Sequence, residues 1–155
     1  MIAAGLNEPS NNQVENAIKV ANFAQLAQYL TKHVKLDSGK EIGLRMGIHS
    51  GSCVTGVVGN LMPRYCLFGD TINVANRLQT NSEVGKIHIS EQTEFLLSSL
   101  DQFEIVLRSE QTLLKGKESR STYWLESKIN EKNTLLTPEV MSILEADVVK
   151  LLKQY

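Results

Sequence analysis

The stretch Met62–Arg77, which reads MPRYCLFGDTINVANR, decides how the chain folds. Its apolar run, Tyr65–Phe68, is followed by Gly69, which predicts a strand that ends in a turn. Asp70 or Thr71 then stands where a polar residue caps the start of a helix. The stretch therefore predicts a strand, a turn and a helix in direct succession.

The predicted helix carries Asn73 and Arg77 four residues apart. Side chains at this spacing lie one above the other on the same helical face. An amide and a guanidinium fork near a helix start favour an anion such as phosphate, because the helix dipole acts in the same direction. On the spacing alone, an Asn and an Arg four residues apart are more often part of a solvated helix face, and the anion site stays open as the second interpretation.

Length and composition describe one ordinary globular domain. The chain has 155 residues, of which 42% are hydrophobic and 21% charged, with a formal net charge of -1. This balance argues against a nucleic-acid partner and against direct membrane contact through a basic patch. Two cysteines, Cys53 and Cys66, are too few for a disulfide framework. With no apolar run of membrane-spanning length and no leader-like start, we expect a cytosolic location.

Upstream of the central stretch, the pattern predicts three strands and a helix. Met1–Leu6 is apolar up to Gly5 and predicts a short buried strand, and the apolar spacing of Gln13–His33 predicts an amphipathic helix. Glu41–His49 alternates between apolar and other residues, and with Ser52–Val58 it predicts a β-hairpin. His49 has no partner at metal-ligand spacing, so we expect a hydrogen-bonded structural histidine.

Downstream, the pattern continues with alternating strands and helices. The predicted elements are a strand at Gly85–Ser90, a short helix at Glu91–Ser99 capped by Ser90, a strand at Phe103–Leu107, and an antiparallel pair formed by Thr112–Leu114 and Ser121–Leu125. The tail is polar at first and then helical by pattern. We expect a linker and a C-terminal helix over residues 127–155.

Several motifs in order resemble the catalytic domain of the class III nucleotidyl cyclases, guanylate cyclase type. They are Leu44–Gly51 (LRMGIHSG), the central stretch, Lys115-Gly116-Lys117, and Thr122–Leu125 (TYWL). The resemblance covers most of residues 1–126, which would form a partial catalytic domain. It implies an α+β fold, a ferredoxin-like antiparallel sheet with packed helices, that lacks its first strands and its metal-bearing hairpin.

The resemblance implies that the complete, dimeric domain converts GTP to cyclic GMP and pyrophosphate in intracellular signalling. Arg77 would stabilise charge at the α-phosphate, Asn73 would orient the ribose, and Lys115 would meet the terminal phosphates. A solvated turn is the alternative for the lysines, and Lys117 is left undecided. Cys66 would read the base, because a thiol tolerates the guanine carbonyl oxygen that a carboxylate repels. A buried apolar cysteine is the alternative for Cys66.

The same resemblance implies Mg²⁺ or Mn²⁺, held by two aspartates on segments that this sequence does not contain. Asp70 belongs to the helix start and Asp37 to a turn, so neither takes that place. Met1 resembles an internal methionine of the family, from which we expect the sequence to begin in mid-domain. We therefore expect this chain by itself not to cyclise GTP.

The implied partner is a second cyclase catalytic domain, arranged head to tail in a homodimer or a heterodimer. The implied location is cytosolic, including the cytoplasmic domain of a membrane receptor. Two other functions stay open: an adenylate cyclase, and a non-catalytic cyclase-like module that pairs with a chain bearing the metal site. Substitution of Cys66 tests the first, and a stable heterodimer is the mark of the second.

Overall fold

A computed structural model describes residues 1–6, 12–33, 42–109, 112–115 and 118–127. Three helices and eight strands are found in these ranges. In chain order they are α1 (Gln13–His33), β1 (Arg45–Ile48), β2 (Val54–Val58), β3 (Arg64–Phe68), α2 (Asp70–Thr80), β4 (Lys86–Ser90), α3 (Glu91–Leu97), β5 (Phe103–Leu107), β6 (Thr112–Lys115), β7 (Glu118–Arg120) and β8 (Thr122–Ser127). The predicted helix over Gln13–His33 and the predicted strand over Phe103–Leu107 are confirmed residue for residue.

The main sheet has four strands in the order β1-β4-β8-β5. β8 pairs antiparallel with both β4 and β5, whereas β1 and β4 run parallel. Two further pairs, β2–β3 and β6–β7, are antiparallel two-stranded ribbons. The prediction of an α+β fold with a mostly antiparallel sheet and packed helices is confirmed.

Alternation along β4 places the helices on opposite faces of the main sheet. Ile87 and Ile89 are buried in a hydrophobic cluster with residues of α1 and α3. His88, between them, points to the other face, where its ring bonds a carbonyl of α2. Because successive side chains of a strand point to opposite faces, α1 and α3 cover one face of the sheet and α2 covers the other.

The hairpin predicted between Glu41–His49 and Ser52–Val58 is wrong. The structure pairs β1 with β4, where Met46 stands opposite Ile87 and Ile48 opposite Ile89. β2 instead pairs with β3. The β1–β4 pairing buries Ile48 with the isoleucines of β4 in one cluster, and this burial outweighs the proximity of β1 and β2 in sequence.

The antiparallel pair predicted from Thr112–Leu114 and Ser121–Leu125 is also wrong. β8 lies between β4 and β5, where Trp124 and Leu125 are buried, and β6 pairs with β7. Met1–Leu6 forms no strand, and its first two residues are exposed. The linker and helix predicted for the tail fall outside the described residues from position 128 onward.

None of the helices in the described ranges is long and apolar enough to cross a membrane.

Candidate functional site

Helix α2, which carries Asn73 and Arg77, begins at a glycine. Gly69 has φ 132° and ψ 169°, a conformation that an L side chain rarely adopts. The prediction that Asp70 or Thr71 caps the helix with its side chain is wrong, because the cap position is Gly69 and makes no side-chain hydrogen bond. The Thr71 hydroxyl instead donates to the Ser52 carbonyl oxygen over 2.5 Å, which ties the first turn to the chain before β2.

The middle of α2 lies directly on the backbone of β1. A Cβ built on Gly47 would stand 2.6 Å from the Ala75 carbonyl oxygen and 2.8 Å from the Gln79 Cα, and closer still to the Gln79 nitrogen. Such distances leave no room for a side chain, so the helix and the strand touch backbone to backbone. Val74 and Leu78 are the buried residues of the helix.

The end of α2 is held by a buried histidine and an arginine. His88 Nδ1 lies 2.9 Å from the Leu78 carbonyl oxygen, and Nε2 lies 2.8 Å from Thr122 Oγ1. Because a carbonyl oxygen only accepts, Nδ1 carries the proton and the neutral ring accepts from the threonine hydroxyl. Arg108 Nη1 donates to the Asn81 carbonyl oxygen over 2.9 Å. A cation there also complements the negative end of the helix dipole.

The His88 ring lacks contact with solvent, and burial is the main cause that lowers its pKa. The hydrogen bond to Leu78 raises this pKa, and the nearby Arg108 charge lowers it. The ring therefore favours the neutral form, in which Nδ1 donates to the Leu78 carbonyl oxygen and Nε2 accepts from the Thr122 hydroxyl.

The predicted site residues lie on elements that meet at α2. Asn73 and Arg77 are exposed on the helix, away from the buried Val74. Cys66 is half-buried on β3, directly opposite Gly56 of β2. Lys115 is the last residue of β6. Both β3 and β6 adjoin α2, so the elements that carry the four positions are neighbours in the fold.

The two cavities that the structure shows near α2 lie away from Cys66, Asn73 and Arg77. Two cavities of about 660 and 480 Å³ flank residues 49–53, between β1 and β2. Cys66, Asn73 and Arg77 line neither of them. Asn73 and Arg77 are exposed, and Cys66 is half-buried outside both cavities.

His49 is a hydrogen-bonded structural residue, as the sequence predicts. Its Nδ1 lies 2.8 Å from Ser90 Oγ, and Ser90 is the N-cap of α3, as predicted. Burial is the main cause that lowers the pKa of His49, the Asp70 carboxylate raises it, and the Arg120 charge lowers it.

The described residues do not fit a divalent metal. Within them, no group of three or more His, Cys, Asp or Glu side chains is placed to hold such an ion. Asp70 is an exposed residue in the first turn of α2, and the helix dipole accounts for a carboxylate there.

Two residues that position the site were not singled out from the sequence. Gly47 alternates with apolar residues as any strand residue does, and its contact with α2 arises only once the helix folds back on β1. His88 sits between two isoleucines, where alternation predicts a polar face, yet it is buried under α2. Neither feature has a local signal, because each depends on a distant packing partner.

Comparison with known proteins agrees with the fold and the motifs. The model of the adenylate and guanylate cyclase catalytic domain matches residues 1–127. Guanylate cyclase D of Mus musculus is 41% identical over 141 residues, which cover 89% of this chain and 12% of that protein. The receptor-type guanylate cyclase gcy-6 of Caenorhabditis elegans is 42% identical over 129 residues, which cover 80% of this chain and 11% of that protein.

A solved structure supports the same relationship. The guanylate cyclase domain of RhGC from Catenaria anguillulae, in complex with GTP, superposes with a TM-score of 0.71 at 31% identity. The alignment covers 82% of this chain and 66% of that domain. The chain thus spans a small part of the curated relatives and about two thirds of the solved domain.

Proposed function

The chain belongs to the adenylate and guanylate cyclase catalytic-domain family, and from that premise we propose that the protein containing it converts GTP to cyclic GMP and pyrophosphate. The observation that carries the proposal is the exposed pair on α2, Asn73 and Arg77, beside the strands of Cys66 and Lys115. The RhGC guanylate cyclase domain, to which this chain is similar, was solved in complex with GTP.

In the proposed reaction the ribose 3′ hydroxyl gives up its proton and its oxygen attacks the α-phosphorus. The bond from the α-phosphorus to the bridging oxygen breaks, and pyrophosphate leaves with that oxygen. Negative charge develops on the phosphoryl oxygens, where the Arg77 guanidinium offers two parallel donors. Asn73, one helical turn earlier, orients the ribose, so that the attacking oxygen is held in line with the leaving group. Lys115 neutralises the terminal phosphates. Cys66 contacts the guanine edge without the repulsion that a carboxylate would introduce.

The proposed partner is a second cyclase catalytic domain, arranged head to tail. The β2–β3 ribbon supports this, because it exposes many large apolar side chains: Val54, Val57, Val58, Leu61, Met62, Tyr65 and Phe68. Leu61, in the turn of the ribbon, is 98% exposed. Exposed apolar patches of this kind mark protein interfaces. The ribbon adjoins α2, and we propose that a domain docked on it also covers Asn73 and Arg77.

The family resemblance implies Mg²⁺ or Mn²⁺, for which the described residues offer no site. We assign no step to a metal held by this chain. The proposal places the metal ligands on the partner domain or on sequence outside residues 1–155. The proposed location is the cytosolic side of a membrane receptor, in keeping with the receptor-type relative.

Complementation tests the proposal. The 155-residue chain is mixed with a guanylate cyclase catalytic domain that keeps its metal-binding aspartates but has alanine in place of the arginine that corresponds to Arg77. We expect the mixture to form cyclic GMP from GTP. Arg77→Ala in this chain should lower that activity by about 100-fold or more, because a cation at the developing charge is lost. Arg45→Ala, which removes an exposed arginine on β1, is the matched control and should leave the activity unchanged.

Two outcomes would contradict the proposed activity, and a third would contradict the proposed placement of the metal ligands outside this chain. Cyclic AMP formed from ATP at equal or higher rate would favour the adenylate cyclase function. Activity that does not depend on Arg77 would favour a non-catalytic partner module. Cyclic GMP formed by the purified 155-residue chain with GTP and Mn²⁺, without a partner, would show that the chain does not need ligands from outside.

A further inference from the structure

The loop of residues 49–53 separates two hollows. His49, Ser50, Gly51, Ser52 and Cys53 line both the cavity of about 660 Å³ and the cavity of about 480 Å³. A loop with a cavity on each side gains little stability from packing contacts. Its position therefore depends on the hydrogen bonds that it makes at its two ends.

One end of this loop is fixed to the start of α3. His49 Nδ1 lies 2.8 Å from Ser90 Oγ, and Ser50 Oγ lies 3.1 Å from Thr93 Oγ1. Ser90 also accepts from the Thr93 backbone nitrogen over 3.3 Å, as the cap of α3. Ser90 and Thr93 are both fully buried. The loop is thus bonded to two side chains that have little freedom of their own.

The other end is fixed to the start of α2. The Ser52 carbonyl oxygen accepts from the Thr71 hydroxyl over 2.5 Å. A Cβ built on Gly51 would stand 2.6 Å from Thr71 Oγ1 and 3.3 Å from His49 Nε2. The Gly51 backbone therefore lies in close contact with both Thr71 and the His49 imidazole. No space is left between them for a side chain at position 51.

From this arrangement we infer that His49 is a positioning residue, which holds loop 49–53 against α3 so that the loop fixes the first turn of α2. Asn73 and Arg77 follow Thr71 on that helix, and their spacing from loop 49–53 is set at this contact. The importance of this position for catalysis rests on the proposed function. The mechanical link between His49 and α2 does not.

Hydrogen exchange of the 155-residue chain, followed by mass spectrometry without nucleotide, tests the link. In His49→Ala we expect exchange to rise roughly three- to tenfold in the first turns of α2, as the loss of one hydrogen bond predicts. Exchange in α1 and β8 should stay unchanged. His49→Asn, whose amide nitrogen replaces Nδ1 as a partner for Ser90, should restore most of the protection.

Ile89→Val is the matched control for a general loss of stability, because it removes one methylene from the neighbouring core without touching the loop. It should not raise exchange selectively in α2. Thr71→Val breaks the same link from the helix side. The double variant His49→Ala with Thr71→Val should exchange no faster in α2 than the faster single variant, since both remove one connection.

Unchanged exchange in α2 for His49→Ala would overturn the inference. So would a rise spread evenly over α1, α2 and β8, or strictly additive effects of the two substitutions. The assay contains no nucleotide and no partner, so its result is independent of the complementation test. If the unsubstituted chain fails in the complementation test while the variants show the expected exchange pattern, the result would count against the proposed function instead.

Discussion

Replacing Gly47 by alanine perturbs the closest contact between the candidate site and the sheet. The added Cβ would lie 2.6 Å from the Ala75 carbonyl oxygen, about 0.8 Å short of the 3.4 Å at which ordinary contact begins. The neighbouring atoms are backbone of α2, and Gly47 does not have a positive φ. The backbone of the alanine variant is therefore unstrained. The loss of stability comes from moving α2 away from β1.

We expect Gly47→Ala to lower the free energy of unfolding by about 1–3 kcal/mol, the range typical of an extra methyl group in a filled core. Urea denaturation of the 155-residue chain measures this value. Gly56→Ala is the matched control, because it lies on β2 with negative φ and no atom within 4 Å of its added Cβ. It should be neutral, or more stable by up to about 1 kcal/mol, through reduced entropy of the unfolded chain.

The same substitution also tests the candidate site. If α2 moves away from β1 to admit the methyl group, Asn73 and Arg77 move with it, and complementation should fall under conditions where the protein remains folded. Equal stability of the Gly47→Ala and Gly56→Ala variants would refute the reasoning, because it would mean that α2 does not rest on the backbone of β1.

Three further predictions follow from individual contacts. The pKa of His88 in the folded protein is lowered from 6.5, so its contribution to stability is full above pH 6.5 and falls as the pH drops towards the lowered value. Urea midpoints on either side of pH 6.5 measure how steeply stability depends on pH. An equal pH dependence in His88→Gln would contradict the assignment. Val57→Lys with Leu61→Lys should weaken association with the partner domain in sedimentation velocity, because charge replaces exposed apolar surface, whereas undiminished association would exclude the ribbon from the interface. Cys66→Asp should raise the use of ATP relative to GTP in the complementation assay by about tenfold or more, because the carboxylate repels the guanine carbonyl oxygen, and unchanged selectivity would remove Cys66 as the base reader.

The sequence predicts elements well where the signal is local. Gln13–His33 is a helix because its apolar spacing repeats over several turns, and Ser90 caps α3 because a hydroxyl beside free N–H groups needs no distant partner. Strand pairing has no such local signal. β1 pairs with β4, although β2, β3 and α2 lie between them in the sequence. The joint burial of Ile48 and Ile89 favours that pairing. The predicted hairpin failed for this reason.

The candidate residues of α2 show the same difference between local and long-range signals. Asn73 and Arg77 share a face because helical geometry requires it, and the motif predicts the helix. The supports of that helix come from residues remote in sequence: Gly47 below it, Thr71 bonded to Ser52, and His88 at its end. A sequence pattern has no means of indicating these contacts, because each joins elements that are separate in the chain.

The exposure of Asn73 and Arg77 gives the proposed partner domain a physical role. In water, the attraction between a guanidinium and a phosphoryl oxygen is screened by a dielectric constant of about 80, against about 20 where protein surrounds the pair. Arg77 on an open helix face is therefore weakly effective, although α2 holds its backbone in place. A domain docked on the β2–β3 ribbon would exclude water from this face and strengthen the interaction about fourfold without moving the residue. In this proposal α2 of this chain holds Arg77 in position, and the docked partner domain provides the low dielectric constant.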